Sequence, residues 1–468
     1  MKVLIKDRRF YKSLIVLATP MILQSMITIG VNIMDTVMLG KMGETQLSAS
    51  SLANNFFEIF HILNMGIGGG AGVLIAQYWG MGDKQSIRKV VSIMFRICLI
   101  AAVLFTVVSI FFPSGIMRLY SKDPGVIEKG VLYIYWSFPT FFLMGCSLVM
   151  TLALRAIKKV MIPFMASFIS FFVNIFFNWV FIFGKLGAPR MEIAGAALGT
   201  VIARVVEFLI IGIYFLFKEK DIRFKIRDIL VPSPEQFPVF LKFGTPVIIS
   251  DLLLTFGNNG VSIIMGHIGT LFVAAFAIVA PVMRLCNVAT MGLSQAAATL
   301  TGNAVGGKSK EEAFATGMTC FFISIGVGAV ASILLLLVGE LIIGIYDVQA
   351  ETHMIALELI DAISLILVFQ SVQSVLTKGV LRGGGDTRFC MVADVLFLWI
   401  MSIPLGYLCG LVWHTSPFVT YLALKSDFIM KSALCIFRLL SGKWIRRVRI
   451  KEAEYVGEVL IQGSGEEC

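Results

Sequence analysis

Long apolar runs set the first limit on this chain. Between Ser13 and Leu440 they recur about twelve times, each near or beyond the ~20 residues a helix needs to cross ~30 Å of hydrocarbon. Only 15% of the 468 residues are charged, and mean hydropathy is +0.88. A soluble domain has nearer to a quarter of its residues charged. No soluble core of this length could hide so much apolar sequence, so the chain reads as an all-α membrane protein with many spans.

The expected spans are 13–38, 49–76, 90–112, 131–154, 160–184, 192–217, 237–263, 272–300, 313–338, 354–379, 389–412 and 417–440. The last is the weakest, because Lys425, Asp427 and Lys431 interrupt it. The basic opening MKVLIKDRRFYKS leads into a full-length span, so a cleavable signal peptide is not expected. Eight cysteines (Cys98, Cys146, Cys286, Cys320, Cys390, Cys409, Cys435, Cys468) show no CxxC spacing. Most lie in apolar runs, where a thiol packs as a small hydrophobe, so neither a disulfide framework nor a zinc site is expected.

The net charge of +10 belongs to the loops. Taken alternately, one set of loops and ends carries 26 Lys and Arg, from Lys2 through the linker to Lys451. The opposite set carries 6: Lys41, Arg118, Lys122, Lys129, Lys185 and Arg190. Cytoplasmic loops hold the excess, which places both termini in the cytoplasm and the chain in the plasma (inner) membrane. This distribution marks topology and not a nucleic-acid footprint.

An internal repeat organises the spans. VNIMDTVMLGKMG at Val31–Gly43 returns as GNNGVSIIMGHIG at Gly257–Gly269. With a shift of 226 residues, Thr19-Pro20 meets Thr245-Pro246, Asn32 meets Asn258, Met65-Gly66 meets Met291-Gly292, and Lys84 meets Lys310. One residue later in register, LRAIKK from Leu154 meets LRGGGDTR from Leu381. Two six-span halves inserted the same way round are related by an axis along the membrane normal. The expected organisation is an N-terminal lobe 1–217, a basic cytoplasmic linker 218–236, a C-terminal lobe 237–440 and a cytoplasmic tail 441–468. The copies differ at one place: Asp35 in the first is Val261 in the second.

LRGGGDTR, TPMILQ with DTVMLGKMG, and AQYWGMGDK (Ala76–Lys84) together resemble the MATE family of multidrug and toxic-compound extrusion transporters, over nearly the whole chain to Trp444. The resemblance implies a V-shaped pair of six-helix bundles. It implies export of amphipathic, mostly cationic compounds by a monomer, in exchange for H⁺ or Na⁺ and without another cofactor.

Antiport needs a site that holds either coupling ion or substrate, and a carboxylate in a low-dielectric setting does this. Asp35 sits in an apolar span, where an acid costs ~2.5–3.5 kcal/mol on insertion scales and functional use is the default. The other reading is an acid near the outer helix end, solvated by the loop at Lys41. A proline fifteen residues before a first-span carboxylate is the pattern of the DinF-like branch, and Pro20 and Asp35 match it. Proline removes a helix hydrogen bond and permits a bend, which makes Pro20 the conformational candidate. Asn174 and Asn178, four apart, share one helix face and are expected to line the cavity of Asp35, although helix–helix bonding is an alternative. Some DinF-like members carry a second carboxylate where this chain has Asn178. Its loss leaves both H⁺ and Na⁺ open, with Na⁺ at Asp35 and Asn178 a possibility. Thr200 matches a polar position of the sixth span.

In the second half, Asp251, Glu358 and Asp361 are secondary candidates, with Gln370 and Gln373 deeper on the same span. Glu358 and Asp361 also suit a hydrated helix N-terminus. Asp394, and the repeat-related Glu58 and Arg284, are further intramembrane charges, the last two expected to pair at a cytoplasmic rim. His61 and His267 read as structural. The motif GIGGGAG at Gly66–Gly72 reads as close packing, lacking the lysine of a phosphate loop. No nucleotide-binding, metalloprotease or nucleophile motif is present, so enzymatic action is not expected. A lipid-linked oligosaccharide flippase is the alternative, since Arg96, Arg204, Arg284 and Lys378 are intramembrane cations.

Overall fold

A computed structural model describes residues 4–344 and 349–448. Lys2, Arg449, Lys451 and Cys468 lie outside the described residues. The first half contains α1 (Arg8–Gly40), α2 (Glu44–Met81), α3 (Lys84–Phe111), α4 (Pro113–Tyr120), α5 (Pro124–Ser137), α6 (Pro139–Ala156), α7 (Met161–Phe183) and α8 (Glu192–Ile213). The second contains α9 (Gln236–Ile268), α10 (Thr270–Gly307), α11 (Lys310–Ile343), α12 (Ala350–Ser374), α13 (Thr387–Leu396), α14 (Ile403–Tyr407), α15 (Pro417–Leu424) and α16 (Ser426–Leu440). Short π-helical turns join α12 onward to Leu381 and connect α13, α14 and Val412.

Eleven segments among the described residues are long and apolar enough to cross a membrane. Large apolar side chains such as Ile100, Phe111, Phe217 and Leu337 stand exposed, as expected of a lipid-facing surface. The expected twelfth span is two helices, α15 and α16, meeting at Lys425. Its charges are tolerated because Asp427 and Lys431 bond each other one turn apart, 2.9 Å between Oδ2 and Nζ. The fourth span starts at Pro124 and not near 131, with Asp123 capping α5, and passes from α5 to α6 at Phe138–Pro139.

Repeat-related positions recur as repeat-related geometry. Gly43 and Gly269 precede α2 and α10 with φ of 119° and 152°, a region that side-chain-bearing residues avoid. Asp83 accepts the amide of Ser86, and its counterpart Ser309 accepts that of Glu312. Pro20 and Pro246 each lie inside a continuous helix.

The halves interlock. Leu14, Leu17, Ala18 and Met21 of α1 join the apolar cluster of α10 and the 375–381 turn. On the end that carries the basic loops, α2 meets α9 and α10 so closely that a methyl group on Gly70 would overlap Gly244, and one on Gly80 would overlap Asn303. At the other end Gly43, Gly266 and Gly269 have no neighbour within 4 Å of a built Cβ. The halves therefore close on each other at the basic end.

Residues 441–448 of the expected cytoplasmic tail are docked. Trp444 is fully buried against Gly384 and Gly317, and Arg446 pairs with Asp386 at 3.1 Å. Gln77 of α2 donates to the Arg446 carbonyl at 3.3 Å and accepts the Val448 amide at 3.0 Å. The linker is held as well, by Arg96 donating to the carbonyls of Ile229 and Val231.

Candidate functional site

Three helices of the first half build a polar cluster. Asn178 of α7 donates from Nδ2 to Asp35 Oδ1 of α1 at 2.6 Å and to Asn174 Oδ1 at 3.3 Å. Asn174 in turn donates to Thr200 Oγ1 of α8 at 3.4 Å. The i,i+4 spacing on α7 stacks both amides on one face, and Gly199 lets α8 approach, since a methyl there would overlap Asn178 Oδ1. Asn178 is fully buried, yet its Oδ1 has no hydrogen-bond partner. A buried acceptor left bare costs free energy. Asp35 has no basic partner within 4 Å among the described residues. The cluster thus strings carboxylate, amide and hydroxyl groups into one relay, with the Asn178 nitrogen turned to Asp35 and its bare oxygen against Gly199. Oxygens of these types suit a hard monovalent or divalent cation.

A second feature is a cavity of about 800 Å³ lined by helices of both halves. None of Asp35, Asn174, Asn178 and Thr200 lines it. This corrects the expectation of one shared cavity: α1 faces the cavity with Gln24, Ser25, Thr28 and Ile29, and Asp35 lies two turns further out.

The cavity collects charges that the sequence scattered. Glu207 of α8, overlooked in sequence, pairs with Arg204 at 2.6 Å and accepts from Ser167 at 3.0 Å. Its i+3 spacing from Arg204 within an apolar span was the available signal. Arg155 donates to Gln24 Oε1 and Gln295 Oε1, both at 2.6 Å, tying the two halves at the cavity floor. Glu58 and Arg284 both line the cavity, away from the closed rim. Glu58 lies 3.8 Å from His61 and not beside Arg284, because they stand on separate helices facing open space. His61 lines the same cavity, whereas His267 bonds its own helix at the Ile263 carbonyl.

The acids of the second half are mostly neutralised. Asp251 pairs with Arg382 of the LRGGGDTR segment at 3.1 Å. Asp394 accepts from Ser250 at 2.8 Å and lies 3.6 Å from Lys431, which also holds Asp427. Glu358 accepts the Phe418 amide at 3.1 Å and so caps α15. It and Asp361 lie more than two turns inside α12, which begins at Ala350, so neither sits at a helix N-terminus. Asp361 is exposed. The structure does not bring Asp251, Glu358 and Asp361 into one cluster. Gln370 and Gln373 line the cavity, and Gln373 donates to Thr377 at 2.9 Å.

The MatE family profile matches the chain twice, over residues 20–180 and 246–408. The two starts reproduce the 226-residue repeat offset. The chain is 25% identical over 449 residues to the probable multidrug resistance protein NorM of Thermotoga maritima, covering 94% of this chain and 96% of that one. It is 24% identical to the multidrug resistance protein MdtK of Yersinia enterocolitica, covering 93% and 96%. A solved outward-facing multidrug resistance MATE transporter of the MOP superfamily superposes with a TM-score of 0.83 at 19% identity, over 94% of this chain and 99% of that one. With both halves matched by the same profile and one conformation of the fold superposed end to end, the chain belongs to the MatE family.

Proposed function

We propose that this protein is a secondary active exporter of amphipathic, drug-like compounds, driven by antiport of Na⁺ or H⁺ through Asp35. One observation carries the coupling: a carboxylate with no basic neighbour faces a buried amide whose oxygen is bare. A membrane interior tolerates neither for long. Binding a cation at Asp35, with Asn174, Asn178 and Thr200 supplying further oxygens, relieves both costs. Protonation relieves only the carboxylate, so the donor set favours Na⁺. The names of the relatives support drugs as cargo.

In this reading the lobes 1–217 and 237–440 rock about their closed contact, with the linker 218–236 holding them. Ion binding at Asp35 changes the charge two turns from the cavity-facing residues of α1, and Pro20 supplies a place for that helix to bend. The protein resides in the inner membrane as a monomer with both termini cytoplasmic, uses no cofactor beyond the coupling ion, and catalyses no reaction. The family resemblance implies mostly cationic compounds. The cavity supports that part weakly, because Glu207 and Asp427 already hold Arg204 and Lys431.

Dye export from proteoliposomes under separately imposed Na⁺ and H⁺ gradients tests the proposal, with wild type beside Asp35→Asn. A wild type driven by one gradient and an uncoupled variant support it. Equal coupled rates in both proteins remove Asp35 from the mechanism.

A further inference from the structure

We infer that the cavity between the halves is an anion-receiving site, and that the exported compound carries a negatively charged group on an apolar body. This rests on the export reading above and specifies its substrate.

Six basic side chains line the cavity (Arg155, Arg204, Arg284, Lys378, Lys425 and Lys431) against three acids, Glu58, Glu207 and Asp427. Two of the acids are committed, Glu207 to Arg204 at 2.6 Å and Asp427 to Lys431 at 2.9 Å. Glu58 has His61 at 3.8 Å. Four cations remain without a carboxylate within 4 Å among the described residues: Arg155, Arg284, Lys378 and Lys425. Arg155 and Lys425 bond only amide oxygens, those of Gln24, Gln295 and Asn258. An amide orients a cation without neutralising it.

A basic side chain within a membrane span is expensive, and four of them turned to one cavity are a functional feature by default. They are also unevenly placed. Arg284 on α10, Lys378 in the turn after α12 and Lys425 between α15 and α16 all belong to the second half. The repeat counterpart of Arg284 is Glu58, so the repeat itself set opposite charges on opposite walls. Methionines including Met65, Met144, Met283 and Met291 supply an adaptable apolar surface beside them. A compound with an anionic head finds its counter-charge on the second-half wall and its body against these side chains. A cation of the same shape meets net repulsion, strengthened by the low-dielectric surroundings.

Two dyes of one xanthene body separate the possibilities: carboxyfluorescein as the anion and rhodamine 6G as the cation. Binding to the full-length detergent-solubilised chain is read by fluorescence anisotropy, and transport in proteoliposomes under Na⁺ and H⁺ gradients imposed in turn. Carboxyfluorescein should bind and be exported in preference to rhodamine 6G, with affinity falling as salt rises. Arg284→Gln with Lys378→Gln should weaken it by about tenfold or more, the loss of two charge-assisted contacts, and Lys425→Gln alone by less. Arg284→Lys with Lys378→Arg keeps the charge and should retain binding, which separates charge from folding. Export of rhodamine 6G alone, or a charge preference unmoved by the neutral variants, overturns the anion site and leaves the export reading standing. Carboxyfluorescein binding without transport supports the site and breaks the export reading. In that case farnesyl pyrophosphate is added as competitor: displacement of the dye assigns the head group to a prenyl lipid, and no displacement assigns it to a soluble anion. Binding of neither dye overturns the site.

Discussion

In the first half, Asp35 rests against amides alone, with Asn178 at 2.6 Å and no ammonium or guanidinium beside it. In the second, Asp251 rests against Arg382, and Asp394 and Asp427 share Lys431. Both clusters sit in apolar helices of one repeat. They solve the same problem, a carboxylate removed from water, in opposite ways. A built-in counter-charge gives a permanent structural tie. An uncharged cradle leaves the counter-charge to be supplied from outside, which is what a coupling site requires. The partner on the neighbouring helix therefore decides the role of each acid.

The comparison breaks first at Asp35. Asp35→Asn should reduce ion-driven export by about a hundredfold or more, because no second carboxylate joins the cluster, while the melting temperature in detergent stays near wild type. A variant that still couples would erase the distinction between the halves. The converse change is Lys431→Met, which strands Asp394 and Asp427 in a buried site. It should cost ~3–5 kcal/mol of stability, read as a lower melting temperature, without altering which ion drives transport. Trp444→Ala tests a tie of a third kind, a buried ring of the docked tail that packs on Gly317 and Gly384 and donates from Nε1 to the Leu439 carbonyl at 3.1 Å. Loss of that fully buried ring should cost ~3–5 kcal/mol and raise protease access to the segment around Arg446.

Gly199→Ala sharpens the comparison within the first half. The added methyl displaces Asn178 Oδ1, and the Na⁺ concentration for half-maximal transport should rise by about tenfold. The smallest effect lies at the end that carries the basic loops, where Lys159 bonds Glu219 at 2.7 Å and Asp221 at 2.6 Å. Burial opposes ionisation of Glu219, but Lys159 and the amides of Asp221, Ile222 and Arg223 outweigh it and hold its carboxyl below the usual range. Burial likewise works against the Lys159 ammonium, and the two carboxylates outweigh it and raise it above the usual range. The carboxylate contribution is complete above the unfolded carboxyl pKa and is lost as pH falls through the folded one. The lysine contribution is complete below the unfolded ammonium pKa and is lost as pH rises through the folded one. Hydrogen exchange of residues 219–223 should accordingly be slowest at intermediate pH relative to its intrinsic rate. Lys159→Met should abolish the loss of protection at high pH and leave the loss at low pH, where the amides of Asp221, Ile222 and Arg223 still depend on ionised Glu219.

What could be read from the sequence was whatever depends on neighbours along the chain. Apolar run length marked the membrane spans, the Lys and Arg bias set the expected sidedness, and the 226-residue echo marked the two halves. Asp35, Asn174, Asn178 and Thr200 were legible as candidates because each is a polar residue in an apolar segment or matches a family position. Their hydrogen-bonded chain was not, since it joins α1, α7 and α8. The neutralisation of Asp251 by Arg382, the gathering of the scattered cations around one cavity and the docking of Trp444 belonged to the tertiary structure alone. The physical reason is common to all of them. Hydrophobic transfer and helix geometry act locally and leave a periodic trace, whereas a charge takes its meaning from the nearest opposite charge or bare dipole. For Asp35, Asp251 and Asp394 those partners come from residues tens to more than a hundred positions away, brought within bonding distance only when the helices pack.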